Sequence, residues 1–190
     1  MSAITAARAE TESGTRDHIL RVARDLLQTR SYLGFSFQDI ADQVGIRKAS
    51  LYHHFASKEA LGVEVIRAAT QQFKDWTAPM TGTPQDKLNA YFTMYRKALR
   101  AGSGVCPAGS LAPGWDNIND ELRQAAREIR SVQILWLAGV MGGLRGKAAA
   151  AVTPAAVFAG CQGALISARM TGQPADFDEG VAPLKAALGL

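Results

Sequence analysis

Residues Phe35–Glu59 read FSFQDIADQVGIRKASLYHHFASKE, and this stretch decides the fold. Ser36 stands as an N-cap with Asp39 three residues on, the spacing of a capping box. Ile40, Ala41 and Val44 recur at helical spacing, and Gly45 suits the left-handed position that ends a helix. The turn Gly45-Ile46-Arg47 leads into a second helix through Lys48, Leu51, Tyr52 and Phe55, after which Ser57 caps a third. Two short helices joined by a tight glycine-bearing turn present the second of them to a DNA major groove.

The charges point the same way. Arg47 and Lys48 fall in the first turn of the second helix, and Lys58 in the first turn of the third. A helix start carries about half a positive charge, so cations there are misplaced by roughly several tenths of a kcal/mol until an anion arrives. A phosphate is such an anion, and the free backbone N–H groups at the same end would bind it too. Position matters here more than sum: residues 1–60 hold eight Lys and Arg against seven Asp and Glu, and the whole chain is only +4.

The segment resembles the TetR family of bacterial transcriptional regulators. The resemblance is carried by Phe37-Gln38-Asp39-Ile40-Ala41, by Gly45, and by Lys48-Ala49-Ser50-Leu51-Tyr52-His53-His54-Phe55 with Ser57-Lys58-Glu59; it covers about the first third of the chain and is looser beyond. It implies an all-α protein with an N-terminal three-helix domain containing a helix-turn-helix and a C-terminal helical domain for ligand binding and dimerisation. The corresponding boundaries are 1–14 for a flexible arm, 15–60 for the DNA-binding domain and 61–190 for the regulatory domain. DNA contacts carry over to Arg47, Lys48, Ala49, Ser50, Tyr52 and His53, with Ser36 and Lys58 on phosphates. The implied activity is that of a repressor, released from pseudo-palindromic double-stranded operator DNA by a small apolar or electrophilic effector. The implied assembly is a homodimer through helices 154–171 and 176–188.

The rest of the chain reads as helical, with no sustained period-two alternation. Its 190 residues, 47 % of them hydrophobic, allow a DNA-binding module and one further helical domain. Thr15 is placed to cap a first helix with Ile19, Ala23, Leu26 and Leu27 on one face. A helix from Lys58 should end before Pro79, and one from Pro84 should stop at Ala101-Gly102-Ser103-Gly104. Residues 105–117 are rich in Gly and Pro, with a short helix expected after Pro107. Asn119 caps a long helix with the stripe Leu122, Ala125, Ile129, Val132, Trp136 and Val140. Thr153-Pro154 opens a helix that Gly172 ends, and a last one lies between Asp176 and Leu188, kinked or restarted at Pro183. The helix from Pro154 is apolar all round, which predicts burial on both sides, one of them by a partner subunit across Gly163 and Ala164.

Chemistry beyond DNA binding is sparse. If Pro107 opens a short helix, Cys106 is its N-cap and the positive helix end lowers the thiol pKa. The segment from Gly104 to Leu111 also resembles a branch of the family in which such a cysteine-bearing turn precedes the long helix, with some members responding to electrophiles or oxidants. Cys161, among apolar residues, is expected to be inert. Trp76, Phe92, Met94, Tyr95, Trp115, Trp136 and Met141 cluster mid-chain; Trp76, Phe92, Tyr95, Cys106, Trp115 and Trp136 are the expected ligand-binding set.

His53 and His54 point about 100° apart on a helix and do not chelate one ion together, so no metal site is expected. His53 reads as a DNA contact and His54 as packing. No cofactor motif or catalytic constellation is present, and the chain reads as a non-enzyme. The alternatives are a cysteine-based redox or electrophile-processing enzyme, and a helical small-molecule binding protein without DNA binding. Met1–Ser13 lacks an apolar signal region, and the most apolar run, Ile134–Leu144, is too short to span a bilayer. The expected location is the cytoplasm, with no membrane partner.

Overall fold

In the computed structural model residues 3–100, 102, 105–144, 146, 149 and 151–190 are described, with backbone alone at 3–13 and 100. Helices α1 (Ala3–Arg30), α2 (Phe37–Val44) and α3 (Lys48–His54) form the N-terminal bundle, and α4 (Lys58–Thr77) leads out of it. Helices α5 (Pro84–Arg100), α6 (Asp120–Met141), α7 (Pro154–Thr171) and α8 (Ala175–Ala187) build the second half, with 3-10 turns at Tyr32–Gly34 and Gly109–Asn117. No strand occurs among the described residues.

The local signals act where they stand. Ser36 and Asp39 form the reciprocal capping box, and Gly45 closes α2 at φ 77°. Asn119 caps α6 by accepting from the Leu122 N–H at 2.9 Å, and Thr153 caps α7 with Pro154 at its first position. Helix α8 runs straight through Pro183.

Two expectations need correction. Helix α1 begins at Ala3 rather than at Thr15, so the segment read as a flexible arm is helical backbone from Ala3 onward. Thr15 lies inside that helix and so is not its N-cap. The helix after Pro107 starts at Gly109, a 3-10 turn with Ala108 as its cap, so Cys106 is not an N-cap. Of the expected breaker after α5, Ala101, Ser103 and Gly104 lie outside the described residues.

Burial follows two clusters. One joins Ile19, Leu26 and Leu27 of α1 to Ile40, Leu51 and Ile66, and it extends into Leu122, Ala125 and Ile129 of α6. The first half of α6 thus packs into the core of the DNA-reading end, and a Cβ added at Gly62 would meet Leu122 Cδ2 at 3.0 Å. The other cluster gathers Phe73, Tyr91, Tyr95, Leu137, Val157, Leu165 and Phe177. Helix α6 is the shared wall.

Candidate nucleic-acid interface and cavity

Helix α3 is held from below by Leu51, fully buried, and Phe55, which leaves Arg47, Lys48, Ala49, Tyr52 and His53 exposed on the outer face. Ser50 and His54 are half-buried. Tyr52 is 53 % exposed, yet its ring leans on Phe37 with centroids 5.1 Å apart, which sets it beside the first turn of α2. Among the described residues no carboxylate pairs with Arg47 or Lys48. An exposed helix start with two unpaired cations, a small residue and an anchored tyrosine is a surface shaped for a phosphate backbone and groove floor. Ser36 is exposed, but its hydroxyl donates to Asp39 Oδ2 at 2.6 Å and accepts from the Asp39 N–H at 3.3 Å. The hydroxyl's donation, with that of the Ser36 N–H to the same oxygen at 2.7 Å, holds the Asp39 carboxyl below its usual range, and it commits the Ser36 hydrogen before any phosphate arrives.

Lys58 does not stand where a phosphate contact requires. Its ammonium turns inward and donates to the carbonyls of Tyr32 and Phe35, over both of their rings at 4.3 and 4.2 Å. The 3-10 turn between α1 and α2 aims two backbone acceptors at it, an arrangement that helix periodicity does not announce.

A cavity of about 420 Å³ lies at the junction of the two halves. Trp76, Tyr95 and Cys106 line it as expected, together with Met94. Phe92 instead faces a separate groove beside Arg96 and Lys185, and Trp115 a shallow one beside Phe158. Trp136 packs against Phe73 and Tyr91, with both centroids at 5.7 Å, and is not part of the wall. The aromatic stripes identified shared faces; they did not identify what each face meets.

The wall also contains residues that aromatic content did not point to: Arg24 and Gln28 from α1, Gln72 from α4, and Gln133 from α6. A glutamine inside the apolar stripe of α6 was the available signal. Gln28 donates to the Val105 carbonyl at 3.1 Å, and Arg169 of α7 donates to the Gln28 carbonyl at 2.8 Å and to that of Thr29. The C-terminal end of α1 is therefore tied both to the cavity wall and to α7, its free carbonyls satisfied by a guanidinium.

Cys106 is buried beside the cavity. Burial pushes its thiol up, and the N–H groups of Gly109 and Ala108 with the Gln162 amide only partly offset this. The lowered pKa expected of an N-cap is not found, because solvent exclusion outweighs the backbone dipoles. Burial pushes Cys161 up to about 12.

Comparison with known proteins converges on one family. Residues 19–65 match the family model of bacterial regulatory proteins, tetR family. The HTH-type transcriptional repressor KstR2 of Mycolicibacterium smegmatis is 43 % identical over 61 residues, 32 % of this chain and 28 % of that one. The HTH-type transcriptional repressor NemR of Escherichia coli K12 is 30 % identical over 121 residues, 60 % of this chain and 61 % of that one. The chain thus spans less than two thirds of the length of these curated relatives. The structure of a TetR-family regulator from Agrobacterium tumefaciens superposes with a TM-score of 0.83 at 28 % identity, over 93 % of this chain and 98 % of that one. One from Legionella pneumophila gives 0.80 at 25 %, over 90 % and 95 %. The helix-turn-helix segment matches the family model of bacterial regulatory proteins, tetR family, and the all-α fold as a whole is similar to that of TetR-family regulators.

Proposed function

We propose that this chain is a homodimeric, cytoplasmic transcriptional repressor that leaves its operator when a small apolar molecule enters the 420 Å³ cavity. The carrying observation is the pair of unpaired cations, Arg47 and Lys48, at the exposed start of α3. Release follows from what lines the cavity: Arg24 and Gln28 lie on α1 and Phe73 on α4, the two helices that carry the reading pair. A ligand that spreads these walls moves α1 and α4 as rigid units and changes the separation of two α3 helices in a dimer.

Titration of the purified protein against its own upstream promoter DNA tests the reading directly. Lys48→Ala should weaken binding about tenfold and make the log–log salt dependence shallower by roughly one counterion. Tyr52→Ala should weaken it further, since the ring contact with Phe37 goes as well. Parent-like binding by both variants would remove α3 from the interface.

Cys106 enters this reading as wall, not as nucleophile. Its raised thiol stays protonated at neutral pH, so alkylation by iodoacetamide at Cys106, followed by mass spectrometry, should be slow there. The rate should climb as pH rises beyond the ordinary thiol range. Rapid labelling at pH 7 would return the effector to the electrophile class.

A further inference from the structure

Gln133 is 4 % exposed and lies in the middle of α6, yet only one end of its amide is used. Its Oε1 accepts from the Tyr91 hydroxyl at 2.8 Å and the Tyr95 hydroxyl at 2.9 Å. On the far side the Gln162 amide donates to the Tyr95 oxygen at 3.1 Å, and the two tyrosine hydroxyls lie 3.3 Å apart. Tyr95 therefore accepts from Gln162 and spends its own hydrogen on Gln133, whose oxygen carries two donors and is full.

The Nε2 amide has no protein acceptor among the described residues. Nor is it sealed in, for among the described residues the fully enclosed side-chain polar atoms without a partner are Tyr32 Oη and Arg96 Nε. Gln133 is among the residues that line the cavity, and with Oε1 taken by the tyrosines its amide N–H groups are what it has left to offer there. Two N–H hydrogens thus face a space whose neighbouring walls include the rings of Phe73 and Trp76, 5.9 Å apart, and of Tyr95. The one charged residue of the wall, Arg24, already lies 3.6 Å from Asp25.

We infer that Gln133 is the polar anchor of the cavity and that the effector is an uncharged molecule with a flat apolar body bearing a hydrogen-bond acceptor such as a carbonyl. The aromatic walls take the flat body, and the paired amide hydrogens take the acceptor. A carboxylate would lose the hydration of a full charge, with Asp25 beside Arg24 lessening the pull on it, whereas a carbonyl satisfies an otherwise idle donor at a smaller desolvation cost. The anchor also has a route outward: Gln133 lies on the helix shared by both halves, and its partners Tyr91 and Tyr95 lie on α5.

This inference rests on the repressor reading only for the word effector; the binding preference is measurable without DNA. Calorimetry of the full-length protein with 2-acetylnaphthalene and with 2-isopropylnaphthalene, near-isosteres with and without the acceptor, should show the ketone bound about ten- to a hundredfold more tightly. Gln133→Met keeps the volume and removes the donor, and it should abolish that preference while circular dichroism confirms the fold.

Equal affinity for the two probes in the parent, binding of neither, or a preference that survives in a folded Gln133→Met variant overturns the inference. If that variant does not fold, the comparison in the parent protein decides alone. DNA release separates the two readings. A ketone that binds selectively but leaves the promoter occupied counts against the repressor reading and leaves the anchor in place. Release by both naphthalenes alike, with equal affinities, counts against the anchor and leaves the repressor reading in place.

Discussion

Ile166→Asp combined with Met170→Asp should turn the protein into folded monomers that bind promoter DNA poorly. These side chains are 52 % and 82 % exposed on α7 and, with Ala156, Ala159 and Gly163, make a stripe along its outer side. Nothing in the chain comes within 4 Å of a Cβ placed at Gly163. The opposite side is occupied, with Val157, Cys161, Ala164, Leu165 and Ala168 buried. Burying an Ile or Met contributes about 1.5–3 kcal/mol, and a two-fold interface counts each twice, so the double substitution removes on the order of 6–12 kcal/mol before any cost of burying carboxylates. Dissociation at micromolar concentration is the expected result by light scattering. Each protomer would then bring one reading helix instead of two spaced about 34–36 Å apart or a multiple of that. An unaltered dimer would move the interface elsewhere on the surface, with the 71 % exposed Leu135 of α6 as the next place to look.

The same helix shows how far the small residues could be read without coordinates. Their density in α7 predicts a partner subunit on the face bearing Gly163 and Ala164. The structure splits that set. Gly160 and Ala164 serve the packing of α8 inside one chain: a Cβ at Gly160 would run into Leu184 Cδ1, and one at Gly180 would meet the Ala164 Cβ at 3.0 Å. Gly163 is on the outer side. Replacing Ala164 by a bulky charge would therefore disrupt the protomer itself, and only the outer residues report on assembly. Adjacent positions on a helix point about 100° apart, so a composition argument that pools them mixes two interfaces.

Capping and turn signals were legible because they are local. Ser36, Asp39, Gly45, Asn119 and Thr153 act within four residues of themselves, and their geometry follows from the chain alone. The cavity was half legible for the converse reason. Trp76 and Tyr95 were identified as large amphipathic side chains, but Gln28 and Gln133 become wall residues only when α1, α5 and α6 meet. The intrachain contacts of Lys58 were illegible in the same way, since its partners are backbone carbonyls that carry no residue-type signature.

Lys58→Met should unfold the reading head more easily and leave the salt dependence of DNA binding unchanged. The ammonium is half-buried, donates to the Tyr32 and Phe35 carbonyls and lies over both rings. Burial pulls its pKa down, with Glu59 and Asp39 partly restoring it, so the charge is held at a desolvation cost that its contacts offset. Methionine fills the space of the stem but supplies no donor, and two carbonyls in the turn that joins α1 to α2 are left without this partner. At about 1–3 kcal/mol for each orphaned acceptor, less the desolvation recovered, the net loss is about 2–4 kcal/mol. That corresponds to roughly 5–15 °C in Tm for a protein of this size, read by thermal unfolding. A phosphate contact behaves in the opposite way: its removal leaves Tm alone and makes the salt dependence shallower by about one counterion. If Lys58→Met produced that second pattern, the ammonium must leave the carbonyls and swing out to the DNA when the complex forms.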